Sequence, residues 1–205
     1  GEYMKLLFIC YGTGGAEAIN EVVKVIKGIK GTNYSVLSCS DFSRAKLDNS
    51  ERVSESTALK SIDKSIDLVI SDRSNGISFQ KEVTRKCKEL GVKNLVIMDF
   101  YLLGVSDYKK LFDELPDYVT AISDLAYEEL KGIGFKEEQI FKIGNPAYIR
   151  LNNINYTAIF SKSPRILFTS QGGKGNKLHE ELVDFLDNCI SEFVEPLHLT
   201  EGGDS

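Results

Sequence analysis

Apolar residues along this chain fall into short runs that alternate with longer periodic stretches. Residues 5–10 (KLLFIC) form a run of strand length, and from Ala16 the spacing turns helical, with Ala18, Ile19, Val22, Val23, Ile26 and Ile29 in phase. Between them lies Tyr11-Gly12-Thr13-Gly14-Gly15. A second strand is predicted at 34–39 (YSVLSC), then an unperiodic polar loop over 40–56 and a helix over 57–64. The run 66–71 (IDLVIS) reads as a strand buried on both faces, and Asp72-Arg73-Ser74-Asn75-Gly76 follows its carboxyl end. An amphipathic helix at 77–90 is closed by Gly91, and the strand 94–98 (NLVIM) ends in Asp99-Phe100-Tyr101. A helix at 106–114 is broken by Leu115-Pro116. A strand at 118–122 leads through Ser123 or Asp124, as cap, into a helix at 125–133 that Gly134 ends. A short strand at 139–143 precedes the break Gly144-Asn145-Pro146. Residues 152–163 are polar and irregular. After them come a strand at 165–169 (RILFT), a glycine loop and an amphipathic helix at 178–193 with Leu182, Phe185, Leu186, Cys189 and Ile190 in phase.

Alternating strands and helices predict an α/β fold, a doubly wound, Rossmann-like parallel sheet with right-handed crossovers. The unit beginning at Arg165 repeats the strand, glycine loop and helix of the first. The expected organisation is therefore one domain over 4–151, a linker over 152–164, and the first βα unit of a second such domain over 165–205. In an open parallel sheet, ligands sit outside the carboxyl ends of the strands. That rule brings Gly12–Gly15, Asp72–Gly76, Asp99–Tyr101 and Ser123-Asp124 to one surface. The glycines are expected to allow positive φ and close ligand approach, and the helix N-terminus behind them to attract a phosphate or carboxylate. The alternative is a tight turn whose glycines only relieve sterics. A dinucleotide fingerprint would need glycine at position 17, where Glu17 stands, although Asp41 remains open as a ribose-binding acid.

Composition narrows the classes further. The chain has 205 residues, 42% hydrophobic and 27% charged, as an ordinary globular protein does. A net charge of −5 without any Lys/Arg block argues against nucleic-acid binding. No apolar run reaches the ~20 residues of a membrane span. Met4 reads as the native start. Cys10, Cys39, Cys87 and Cys189 lie far apart and only two histidines are present, which argues against a metal site and for reduced thiols in a cytoplasmic protein.

GTGG at 12–15 resembles the first loop of GT-B glycosyltransferases, such as the UDP-N-acetylglucosamine transferase of peptidoglycan synthesis. The runs DLVISDRSNG, NLVIMDFY and LPDYVTAISDLAYEELKGIGFKEEQIFKIGNP resemble the acceptor domain of those enzymes, and ILFTSQGG the start of their donor domain. The resemblance implies a UDP-type nucleotide-sugar substrate, with no other cofactor and no metal, and a hydroxyl acceptor. It places Asp99 as the base, with Asp72 next in line. Gly12, Thr13, Gly14, Gly15, Arg73, Ser74, Asn75, Tyr101 and Asn145 are candidate substrate contacts, and Gln171, Gly172, Gly173 and Lys174 are candidate donor-phosphate contacts. The histidine usual after GTGG is replaced by Ala16. A donor domain normally continues for another ~150 residues, so the missing part is expected from a longer chain, a homo-oligomer or a separate subunit. A second reading for Asp99 is a turn cap or a partner of Arg73, and Asn145-Pro146 also reads as a structural turn. Other functions on the same fold are a UDP-sugar 2-epimerase or hydrolase, a non-catalytic acceptor- or partner-binding subunit and, last, an NAD-dependent oxidoreductase.

Overall fold

A computed structural model describes residues 3–73, 77–100 and 114–153. The chain divides into two units, Gly1–Ile154 and Asn155–Ser205, and all described residues belong to the first. The helix expected at 106–114 lies almost wholly outside the described residues. So do the whole βα unit expected from Arg165 and nearly all of the linker.

Seven parallel strands form one sheet among the described residues, in the order β3-β2-β1-β4-β5-β6-β7. They are β1 (Met4–Cys10), β2 (Thr32–Ser38), β3 (Glu51–Arg52), β4 (Leu68–Asp72), β5 (Lys93–Ile97), β6 (Tyr118–Ala121) and β7 (Ile140–Lys142). The order reverses between β1 and β4, the switch point at which a doubly wound sheet opens a crevice. Helices α1 (Thr13–Ile26), α2 (Asp41–Arg44), α3 (Glu55–Lys60), α4 (Ile77–Leu90) and α5 (Asp124–Gly132) connect the strands.

Alternation along β1 shows why it is central. Leu6, Phe8 and Cys10 face α1, packing with Ala18, Ile19 and Val23. Leu7 and Ile9 face the opposite layer, with Ala58 of α3 and the α4 stripe Phe79, Val83 and Cys87. Apolar on both faces, β1 reads as an unbroken apolar run because neither side meets water. A third cluster joins Val96, Val119, Ala121 and Ile140 to Ala126 and Leu130 of α5. Helix α5 begins at Ser123, whose side chain accepts from Ala126 N, so Ser123 rather than Asp124 is the cap.

Two segments depart from expectation. Residues 40–56 are not an open loop, because they hold α2, the two-residue edge strand β3 and the start of α3. Their polar composition hid short elements nucleated by serine caps, Ser40 for α2 and Ser54 for α3. The break at Gly144-Asn145-Pro146 is followed by a 3-10 helix, Pro146–Asn153, whose Ala147 is buried in the α1 cluster. Cys10, Cys39 and Cys87 are free thiols buried in the core.

Phe8 is fully buried and meets Tyr34 edge-on, with ring centroids 6.3 Å apart. Phe8→Ala should lower the unfolding free energy by about 3–5 kcal/mol. Phe42→Ala, at a residue 74% exposed, should change it by less than ~0.5 kcal/mol. Urea titration of both variants checks the difference.

Candidate functional site

The exits of β1, β4 and β5 converge at the switch point. Asp72, the last residue of β4, is 3% exposed. Its Oδ1 accepts from Tyr11 N at 2.9 Å and its Oδ2 from Gly12 N at 2.7 Å. The Asp72 carboxyl thus accepts from the two residues that lead into α1, Tyr11 and the N-cap Gly12. On the opposite side of the same turn, the Ser40 hydroxyl donates to Tyr11 O and the Ser43 hydroxyl to Cys10 O at 3.2 Å. The β1 exit is held through its N–H groups by β4 and through its carbonyls by the residues that follow β2.

The glycines serve this packing rather than a left-handed turn. Helix α1 already begins at Thr13, and Gly12 is extended at φ −89° and ψ 159°. Positive φ occurs only at Gly31, Gly91, Gly134 and Gly144 among the described residues. A Cβ on Gly15 would lie 2.6 Å from Asp72 Oδ2 and 2.8 Å from its Cγ. A Cβ on Gly14 would lie 3.2 Å from the carboxyl carbon of Asp99. Gly14 and Gly15 therefore leave room for two carboxylates, and the expectation of positive φ in the GTGG turn was misplaced.

Asp99 follows β5 and is half-buried beside Gly14. Its backbone is held at its own carbonyl and at the amide of the residue before it. Met98 N donates to Thr120 Oγ1 at 2.9 Å, and Asn145 Nδ2 donates to Asp99 O at 3.0 Å. Arg73, half-buried, donates its backbone N–H to Ile97 O at 3.1 Å, and its charge acts on Asp99. Burial raises the Asp99 carboxyl above its ordinary value, and the Arg73 charge opposes the rise. Burial pushes Asp72 up to about 7 against its two backbone N–H bonds, and the charge of Asp99 adds to the rise.

The two acids therefore differ in what they can do. Asp72 has both oxygens committed to the backbone and almost no exposed surface, which makes it a support for the turn. Asp99 is only half-buried, and its carboxylate lies beside Gly14. A phosphate brought to Gly14 would meet two carboxyl groups, whereas a hydroxyl would meet an acceptor for its proton. Asn145, expected as a substrate contact, has its amide engaged within the chain: Nδ2 on Asp99 O, and Oδ1 accepting from Ala147 N at 3.0 Å. Asp41 forms an exposed pair with Arg52 at 2.9 Å, next to Ser40, whose hydroxyl donates to Tyr11 O at the β1 exit. Ser123 caps α5, and Asp124 pairs with Lys142 at 2.5 Å. Ser74, Asn75, Tyr101, Gln171, Gly172, Gly173 and Lys174 lie outside the described residues. Sequence reasoning missed Ser40, Ser43 and Thr120. The S-x-x-S spacing of Ser40 and Ser43 was a readable capping signal, while nothing in the sequence pointed to Thr120.

No protein-family model matches the chain, and no curated protein matches it in sequence. Solved structures do match in fold. A UDP-N-acetylglucosamine 2-epimerase aligns at 15% identity and TM-score 0.54, over 77% of this chain and 53% of its own. The S. aureus MnaA–UDP structure aligns at 15% identity and TM-score 0.56, over 76% and 48%. HepE from Anabaena, solved with UDP and glucose, aligns at 15% identity and TM-score 0.53, over 70% and 44%. The chain spans about half the length of these structures. It shares a Rossmann-like α/β fold with these structures.

Two predictions follow from this packing. Gly15→Ala should destabilise the fold by about 1–3 kcal/mol, because the added methyl overlaps Asp72. Gly132→Ala, in α5 with open space around its Cβ position, should be neutral or stabilising by up to ~1 kcal/mol. Thermal melts of the two variants should therefore shift in opposite directions.

The second concerns pH. Folded Asp72 titrates near 7 against an ordinary 3.8, so between about pH 4 and 7 the folded chain holds a proton that the unfolded chain has released. Stability should fall as pH rises through that window, by up to ~4 kcal/mol at about 1.4 kcal/mol per pH unit. Asp72→Asn should flatten the slope, leaving the smaller part due to Asp99. A slope unchanged in the variant, in urea titrations from pH 4 to 8, would remove Asp72 as its source.

Proposed function

We propose that this chain is the acceptor-side part of a GT-B-type nucleotide-sugar enzyme, most simply a glycosyltransferase using a UDP-type donor. One observation carries the reading: a half-buried carboxylate, Asp99, held against the glycine-opened start of α1 at the switch point of the sheet. That is where ligands bind in open α/β sheets. In this reading Asp99 takes the proton of the acceptor hydroxyl as it attacks the sugar carbon. Arg73 moderates the charge of Asp99, and Gly12, Thr13, Gly14 and Gly15 line the approach to it. Ser74, Asn75 and Tyr101 complete the acceptor surface in the proposal. Gln171, Gly172, Gly173 and Lys174 belong to a donor half beginning near Arg165, where they would hold the leaving diphosphate.

A UDP-sugar 2-epimerase is the second reading, favoured equally by the fold likeness to such enzymes. The two separate by product. A transferase makes a glycoside only when an acceptor hydroxyl is supplied, while an epimerase converts UDP-N-acetylglucosamine into its 2-epimer without one.

In the longest native chain containing these residues, Asp99→Asn should lower kcat by about 10²-fold or more with the fold intact, the size of a lost general base. Unchanged turnover would place the base elsewhere. A binding screen of UDP, GDP, CDP and NAD, run beside it, should select a UDP-type ligand. Selection of NAD would overturn the sugar-transfer reading.

A further inference from the structure

Asn145 sits at a distance in sequence from Asp99, whose main-chain carbonyl it binds, on the segment that leaves the sheet. That segment is built for the contact. Ile143 N and Gly144 N both donate to Ala121 O, at 3.1 and 3.3 Å, which ties the end of β7 to the end of β6. Gly144 then turns at φ +74°, a conformation that L side chains rarely adopt. The turn sends Asn145 back across the sheet edge, where Nδ2 reaches Asp99 O while Oδ1 accepts from Ala147 N. Ala147 is 5% exposed in the α1 cluster, so the same short stretch is anchored at both ends. One amide thus bridges the exit of β5 and the layer that carries the glycine turn.

We propose that Asn145 is a positioning residue for Asp99: through the Asp99 carbonyl, and with Thr120 holding Met98 N, it sets where the Asp99 carboxylate stands relative to Gly14. Holding the Asp99 carbonyl sets the direction in which its Cα–Cβ bond leaves the backbone, and the carboxylate has only two rotatable bonds beyond that point. The role deepens the reading of Asp99 as a base and rests on it only for its catalytic consequence. The geometric claim stands separately, because it concerns where the carboxylate sits. Among the described residues, Arg73 after β4 acts on the Asp99 carboxyl, and Asp99 in turn acts on Asp72. The α1 start brings glycines rather than charges against it.

Two variants break the link differently. Asn145→Ala deletes both amide bonds. Gly144→Ala leaves Asn145 in place but strains the turn, and with nothing within 4 Å of the added Cβ it introduces no clash. The first readout needs no activity: the 13C carboxyl resonance of Asp99, titrated in the wild type and both variants. Both variants should move the Asp99 midpoint by at least ~0.3 pH units. The second readout is kinetic: kcat should fall about 10-fold or more with KM within about 2-fold, and Asn145→Gln should recover less than half of the loss. An Asp99 signal that titrates as in wild type in folded Asn145→Ala would overturn the proposal. A moved Asp99 signal with Asp99→Asn fully active would instead refute the base assignment and leave the positioning role standing.

Discussion

The interaction on which this architecture depends is the pair of hydrogen bonds from Tyr11 N and Gly12 N to the Asp72 carboxylate. A parallel sheet that reverses its order leaves its two middle strands diverging at their carboxyl ends, with backbone donors facing a crevice. Water or a ligand satisfies such donors in many proteins. Here β4 supplies a carboxylate from its own last residue, and the crevice is closed at its floor. Removing that group would leave two donors unpaired in a site with little solvent, at about 1–3 kcal/mol each. The rest of the site is arranged around accommodating it.

Glycine at 15 follows directly, because any side chain there would occupy the space of Asp72. Glycine at 14 follows from the second acid, which approaches α1 from β5. Carbonyl groups of the same turn are taken up by Ser40 and Ser43 from the β2 side. The site is therefore held by strand exits on both flanks, with Thr120 and Asn145 performing the same service for Asp99. Supporting residues of this kind lock geometry where a side chain alone would leave it loose.

The elements that depend on apolar periodicity were legible in the sequence. The helix at 77–90 coincides with α4, and the strands at β1, β4, β5 and β6 are displaced by no more than two residues at either end. That legibility has a physical source: strands buried on both faces have no polar positions to confuse the pattern. Short elements in the polar stretch 40–56 escaped because hydrogen bonds from serines, not apolar burial, define them. The strand-to-helix turn at Gly12–Gly15 was also legible, but the reason for its glycines was not. Sequence shows that side chains are missing and says nothing of what fills their place, so positive φ and internal carboxylates look alike. Asn145 illustrates the same limit. Its position after a glycine suggested a turn or a contact, and only the fold brings it to Asp99, 46 residues away.

A crevice holding two acids would ordinarily handicap itself, since neighbouring like charges raise one another's proton affinity. This arrangement separates them by environment. Asp72 is enclosed and takes the larger penalty from burial, so it is the one driven to about 7. Asp99 is less enclosed; burial raises it as well, and Arg73 opposes that rise. The charge of Asp99 adds to the rise of Asp72. A base must be reachable, and of the two acids Asp99 is the less buried. The burial that makes Asp72 a support for the turn is therefore what leaves Asp99 as the acid on which the proposed function rests.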